Sequence, residues 1–253
     1  MSAGAIRPRL LLFDVDGTLL LSGGAGKRAL NRAFAGLFAV TDAFEGIPVA
    51  GRTDTLIFRD ALARSSVEVD QGSRTAFYTL YYECLEQEIR RPGPRKGLMP
   101  GVRGLLERLA DEAHVISGLL TGNFARAARI KLEHFGLWRH FCCGAYGDDA
   151  AERDDLVPIA IARARRAGVR VDAGRDAVVI GDTPLDVRCA AAGGARSIAV
   201  ATGGYDEATL RASGADAVLP DLADADRFLA AIAGDADDAP RRPSADCLAR
   251  KGH

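Results

Sequence analysis

The sequence predicts an α/β protein built on a parallel, doubly wound sheet, with an all-helical segment inserted after the first strand. Three observations carry this. Short, continuous apolar runs, the pattern of strands buried on both faces, recur along the chain. Helical periodicities separate them, and strand alternating with helix is the signature of a parallel sheet. Between about Gly23 and Arg95 this alternation stops and only helical patterns remain.

In chain order, residues 10–13 form the first strand. Helical patterns follow over residues 29–38, 55–63 and 74–89, the last with Phe77, Leu80, Tyr81, Cys84 and Leu85 on one side. Glycine-rich "SGGAG" before this segment and "RRPGPRKGLMPG" after it read as linkers, and together as a double hinge. Val102, Leu105, Leu106 and Leu109 then repeat at helix spacing, as do Leu156, Ile159, Ala160 and Ala164. Strands are expected at residues 115–120, 177–180, 197–200 and 217–219, with a further short one in "FCCGAY". The chain therefore divides into a core (residues 1–22 and 96–233), a helical insert (23–95) and a tail (234–253) too polar to bury much, expected to be disordered.

At 253 residues the chain has room for one large α/β domain, or a medium one carrying an insert. Its 33 basic and 34 acidic residues nearly cancel, so neither nucleic acid nor an anionic membrane is favoured as a partner. No apolar run approaches the roughly 20 residues needed to span a bilayer, and "MSAGAIRPR" is too polar and short for a signal peptide. The five cysteines (Cys84, Cys142, Cys143, Cys189 and Cys247) are odd in number and lack a CxxC pair, which suits reduced thiols in a cytoplasmic protein. The four histidines show no zinc-ligand spacing. "GGAGKR" resembles a P-loop only superficially: Leu21 stands where the first glycine belongs, and Arg28 where Ser or Thr would follow Lys27.

Polar groups fall at or just past the ends of consecutive strands: Asp14 and Asp16, Thr121 in "GLLTGN", Arg153 in "AAERDDLVPIA", and Asp182 and Asp186 in "VVIGDTPLD". That edge of an open parallel sheet is where ligands bind. Three or four carboxylates converging there form a hard, oxygen-rich site suited to Mg²⁺. Such a site can attack phosphorus with one carboxylate, move a proton with a second, and neutralise phosphoryl charge with a cation.

"DVDGT" after an apolar strand, "TGN" after a second and "GDTPLD" after a later one resemble the haloacid dehalogenase (HAD) superfamily, over roughly residues 8–220. The resemblance implies a Rossmann-like core with a cap inserted after the first strand, here the α-helical cap of the phosphoglycolate phosphatase-like branch. It implies Asp14 as nucleophile and Mg²⁺ ligand, and Asp16 as general acid/base whose backbone carbonyl also binds Mg²⁺. Thr121 and the N–H of Gly122 would hold the phosphoryl group. Asp182 would be a metal ligand, and Asp186 a support for the metal shell and the basic residue. A second Asp at position 16 marks the phosphatases of the superfamily rather than its dehalogenases. The third motif usually carries Lys; here Arg153 is the candidate, and Lys131 is not assigned to it.

Plainer readings stand beside these. Thr121 or Asn123 could cap a helix, and Asn123 could equally touch substrate. Asp182 could be an N-cap, Asp186 a solvated helix residue, and Arg153 a surface residue of a charged run. Arg52 in "GRTD" could touch a distal anionic group of the substrate, or lie in an ordinary loop with Asp54 capping the next helix. The function expected is a Mg²⁺-dependent phosphomonoester hydrolase acting on a small phosphorylated metabolite, phosphoglycolate first, as a monomer or homodimer. The alternatives are a phosphomutase of the same fold and a non-catalytic protein that binds a phosphometabolite.

Overall fold

The computed structural model describes residues 9–171 and 176–233. The tail from residue 234, expected to be disordered, and Cys247 within it lie outside the described residues. In order, the elements are β1 (Arg9–Phe13), β2 (Leu20–Leu21), α1 (Ala25–Phe38), α2 (Asp54–Ser65), α3 (Gln71–Glu88), β3 (Gly97–Leu98), α4 (Val102–Ala110) and β4 (Val115–Leu120). They continue with α5 (Ala125–His134), β5 (Gly144–Ala145), α6 (Leu156–Arg166), β6 (Ala177–Gly181), α7 (Pro184–Ala192), β7 (Arg196–Val200), α8 (Glu207–Ala212), β8 (Ala217–Leu219) and α9 (Ala225–Ala233).

Six strands form one parallel sheet in the order β5-β4-β1-β6-β7-β8. Successive crossovers run one way from β1 to β5 and the other way from β6 to β8, so the order reverses at β1, the topological switch point. The continuous apolar run of β1 has a simple cause. Leu11 and Phe13 face the cluster that includes Leu105, Leu109, Val178, Ile180, Phe228 and Ile232. Leu10 and Leu12, pointing the opposite way as alternate residues must, face Leu156, Val157, Ala160 and Cys189.

The predicted helical segment forms α1–α3, with α1 starting four residues earlier than its periodicity suggested because Ala25 and Ala29 both turn inward. These helices pack around Phe34, Phe44, Phe58, Phe77 and Tyr81, with Phe58 and Phe77 stacked at 4.1 Å between ring centroids. Phe124, at the start of α5, joins the same cluster. The two crossings into and out of the segment are tied by β2 and β3, a two-residue antiparallel pair that no apolar pattern announced.

Glu88, at the end of α3, has a fully buried side chain that accepts from Arg28 Nε (2.7 Å), Arg32 Nη1 (2.7 Å) and Arg91 Nη1 (2.8 Å). Burial pushes its carboxyl up, but the three guanidinium bonds outweigh it and hold it at about 2. A carboxyl depressed in the fold stabilises above its unfolded pKa, and that gain is lost as pH falls through the folded value. Glu88→Gln is therefore expected to lose about 1.5–3 kcal/mol at pH 7. In urea titrations the gap to wild type should narrow below pH 4.5, the carboxyl's ordinary value, and close toward about 2. A pH-independent gap would show that the loss is steric.

No helix among the described residues is long and apolar enough to cross a membrane. Cys84, Cys142, Cys143 and Cys189 are free thiols.

Candidate active site

Three strand ends meet at the switch point. Asp14 and Asp16 follow β1, Thr121 to Asn123 follow β4, and Asp182 follows β6. The sheet ladder continues one residue past β1 and β4, with Asp14 N donating to Ile180 O (2.8 Å) and Thr121 N to Ala145 O (3.1 Å). The positions of Asp14 and Thr121 are thus set by the sheet itself. Gly17 turns the chain away at φ 90°, and a Cβ there would collide with the Asp182 carboxylate. Thr18 Oγ1 donates to Asp182 Oδ1 at 3.1 Å, orienting that carboxylate from the same turn.

Asp14, Asp182 and Asp186 each offer a carboxylate oxygen, and these oxygens lie within 4.8 Å of one another. All three residues are buried. Arg153, in a 3₁₀ turn (Arg153–Asp155) leading into α6, is buried beside them at 3% exposure, so it is not a surface residue of the "ERDD" run. Its Nη2 lies 3.1 Å from Asp14 Oδ1, pairs with Asp186 Oδ1, and donates to Leu120 O (3.3 Å); Nη1 donates to Gly51 O (3.2 Å). Burial alone would lower its pKa, but Asp186 and Asp14 more than offset this and hold Arg153 charged.

One guanidinium does not balance three buried carboxylates. Burial, together with Asp186 and Asp16, pushes Asp14 up to about 6 against the pull of Arg153. Burial, then Asp186 and Asp14, pushes Asp182 to about 8. An all-oxygen donor set left short of positive charge fits a hard divalent cation.

Asp186 is not the solvated helix residue of the plainer reading. It forms a capping box with Thr183, which is the N-cap of α7 in place of Asp182. That box leaves Asp186 Oδ1 for Arg153. Thr121 does not cap α5 either. Phe124 occupies the N-cap, and Thr121 Oγ1 accepts from Asn123 N (3.3 Å) and Nδ2 (2.8 Å).

The carboxylate of Asp16 is not part of the cluster of Asp14, Asp182 and Asp186. Its Oδ2 accepts from Lys131 Nζ (2.6 Å) and Asn123 Nδ2 (2.8 Å), and Lys131 Nζ also donates to Asn123 Oδ1 (2.6 Å). Lys131, left unassigned by the sequence reading, thus lies in the site. The available signal was helical: Ala127, Ala128, Lys131 and Leu132 make one buried stripe, in which a lysine is out of place.

The "GRTD" loop presses onto the same loops. Asp54 does not cap its own helix; Thr53 does, accepting from Leu56 N. Asp54 N donates to Gly122 O (2.7 Å), and Asp54 Oδ2 accepts from Phe124 N (2.9 Å) at the start of α5. Burial raises Asp54 to about 6, against Lys131 and that N–H. Any Cβ at Gly122 would collide with Arg52 O, so "TGN" needs glycine here for the approach of the helical segment. Arg52 lines the resulting pocket of about 220 Å³ and pairs with Asp60 at 2.6 Å. Asp14, Asp16, Lys27, Tyr81, Lys131 and Arg153 line it too.

A sequence model described as haloacid dehalogenase-like hydrolase matches residues 11–191. A phosphoglycolate phosphatase of Xanthomonas campestris pv. campestris is 31% identical over 200 residues, covering 78% of this chain and 84% of its own. One from Rhodospirillum rubrum is 30% identical over 219 residues, covering 85% and 88%. Among solved structures, that of a predicted phosphoglycolate phosphatase from Haemophilus somnus superposes with a TM-score of 0.65 at 17% identity, over 89% of this chain and all of that one.

Proposed function

From the premise that the chain belongs to the haloacid dehalogenase-like hydrolases, we propose that it is a Mg²⁺-dependent phosphatase of small phosphomonoesters working through an aspartyl-phosphate. The observation that carries this is the division of the two leading carboxylates. Asp14 sits with Arg153, Asp182 and Asp186, whereas Asp16, two residues on, is held by Lys131 and Asn123. This division supports Asp14 as nucleophile and Asp16 as acid/base.

Mg²⁺ held by Asp14, Asp182 and the Asp16 carbonyl would neutralise the charge between nucleophile and phosphate. Asp14 attacks phosphorus, while Thr121 and the Gly122 N–H hold phosphoryl oxygens and Arg153 offsets their charge. Asp16 protonates the leaving oxygen, then deprotonates the water that hydrolyses the aspartyl-phosphate. Helices α1–α3 act as the cap, and their contacts with the "TGN" loop close the pocket against water. Phosphoglycolate is the first substrate to test, given the named relatives; Arg52 lines the pocket and would meet its carboxylate on leaving Asp60 and Pro48 O.

The test is phosphate release from phosphoglycolate and a panel of phosphosugars and nucleotides, with Mg²⁺ or with EDTA. Metal-dependent release supports the reading. Isomerised sugar phosphate with little free phosphate would replace it with a mutase, and binding without turnover with a sensor protein.

Metal binding should also depend on pH. Carboxyls raised to about 6 and about 8 are partly protonated in the metal-free protein at neutral pH, and ligands must shed those protons. Mg²⁺ affinity is expected to rise between pH 6 and 8, by up to about tenfold per unit for each proton released. Titration calorimetry in buffers of different ionisation enthalpy reads that proton release directly. Flat affinity across this range would contradict the assignment.

A further inference from the structure

Resting on the hydrolase reading, we propose that Lys131 is a positioning residue for Asp16. With Asn123 it fixes one carboxylate oxygen so that the other is presented to the leaving group of the substrate. Lys131 is 5% exposed on the inward face of α5, where a lysine is retained only with partners for its charge. Its partners are Asp16 Oδ2 and Asn123 Oδ1. Asn123 is itself oriented, because its amide donates to both Asp16 Oδ2 and Thr121 Oγ1 at 2.8 Å. The closed triangle of Lys131, Asn123 and Asp16 ties the acid/base to the same loop that carries Thr121.

The two cations buried at the site divide the work. Arg153 pairs with Asp14 and Asp186; Lys131 pairs with Asp16. Among the described residues Oδ1 of Asp16 makes no hydrogen bond, and the side chain is 38% exposed and lines the pocket. A half-exposed aspartate in a turn has several rotamers open to it. Pinning Oδ2 removes that freedom, and the free oxygen is left to carry the proton. In the first step the Asp14–phosphorus bond forms as the phosphorus–alkoxide bond breaks, and the proton on Asp16 passes to the alkoxide oxygen. In the second, water adds to phosphorus, its proton returns to Asp16, and the Asp14–phosphorus bond breaks.

The assignment predicts a selective defect. An alkyl phosphate needs its leaving oxygen protonated; p-nitrophenolate departs with little help. In Lys131→Met the ratio of kcat/KM for phosphoglycolate to that for p-nitrophenyl phosphate should fall by about 100-fold. Lys131→Arg, which keeps a cation, should recover part of it. Should Lys131→Met fail to fold by circular dichroism, Asn123→Ala is the second variant, and its ratio should fall in the same direction. Equal losses on both esters would overturn the assignment in favour of a direct phosphoryl contact or a structural role, as would an unchanged ratio in either variant. Wild type inactive on both esters would bring down the hydrolase reading and this assignment together, whereas an active wild type with an unselective variant would bring down Lys131 alone.

Discussion

Asp14→Asn should abolish Mg²⁺-dependent phosphate release, by roughly 10⁴-fold or more, while leaving the chain folded. The amide keeps the shape of the carboxylate and can still accept from Arg153, but it is not a nucleophile toward phosphorus. A second expectation has the opposite sign. Burial and the neighbouring carboxylates raise Asp14 to about 6, so its ionised form opposes folding. That penalty is fully present above about 6 and relieved as pH falls toward 3.8, the ordinary value. In EDTA at pH 8 the variant should therefore be more stable than wild type, by up to about 3 kcal/mol, and the difference should shrink by pH 5. Urea titrations at the two pH values check this. A variant that is inactive but clearly less stable at pH 8 would mean that Asp14 serves the fold through Arg153 rather than straining it.

Arg153→Met carries the next largest effect, on both stability and rate. It leaves three clustered carboxylates with no buried cation between them. Removing one partner of a buried pair strands the other, at about 3–5 kcal/mol. Loss of a preorganised charge opposite the phosphoryl oxygens should lower kcat by a further 10²–10³-fold, roughly. The destabilisation should be smaller at pH 5, where the carboxyls can protonate, and smaller again with Mg²⁺ present. Arg153→Lys should lie between, because a single ammonium cannot reach Asp14, Asp186, Leu120 O and Gly51 O together as the fork does. Thermal unfolding with and without Mg²⁺ separates these outcomes. A metal-free Arg153→Met as stable as wild type at pH 8 would show that the carboxylates are already protonated there.

The pocket thus combines residues that the chain order announces with residues that it conceals. Asp14, Thr121 and Asp182 were legible because each directly follows a buried strand, and a parallel sheet brings consecutive strand ends to one edge whatever the intervening loops do. The continuous apolar runs were legible for a related reason: a strand covered on both faces has no polar side to show. Gly17 and Gly122 were legible as motif letters, but their cause is spatial, the approach of the Asp182 carboxylate to one and of Arg52 O to the other.

By itself the sequence determined the α/β class, the positions of the six strands of the main sheet, the helical segment after β1 and the carboxylates at the switch point. All of these follow from periodicity and from what stands next to an apolar run. Only the tertiary structure decided which cation serves which carboxylate. It buried Arg153 between Asp14 and Asp186, brought Lys131 to Asp16 across 115 positions of chain, and turned Asp54 from a cap on its own helix to a bond with α5. The physical reason is that charges in a site are paired by distance and desolvation, and neither is written in the local order of residues.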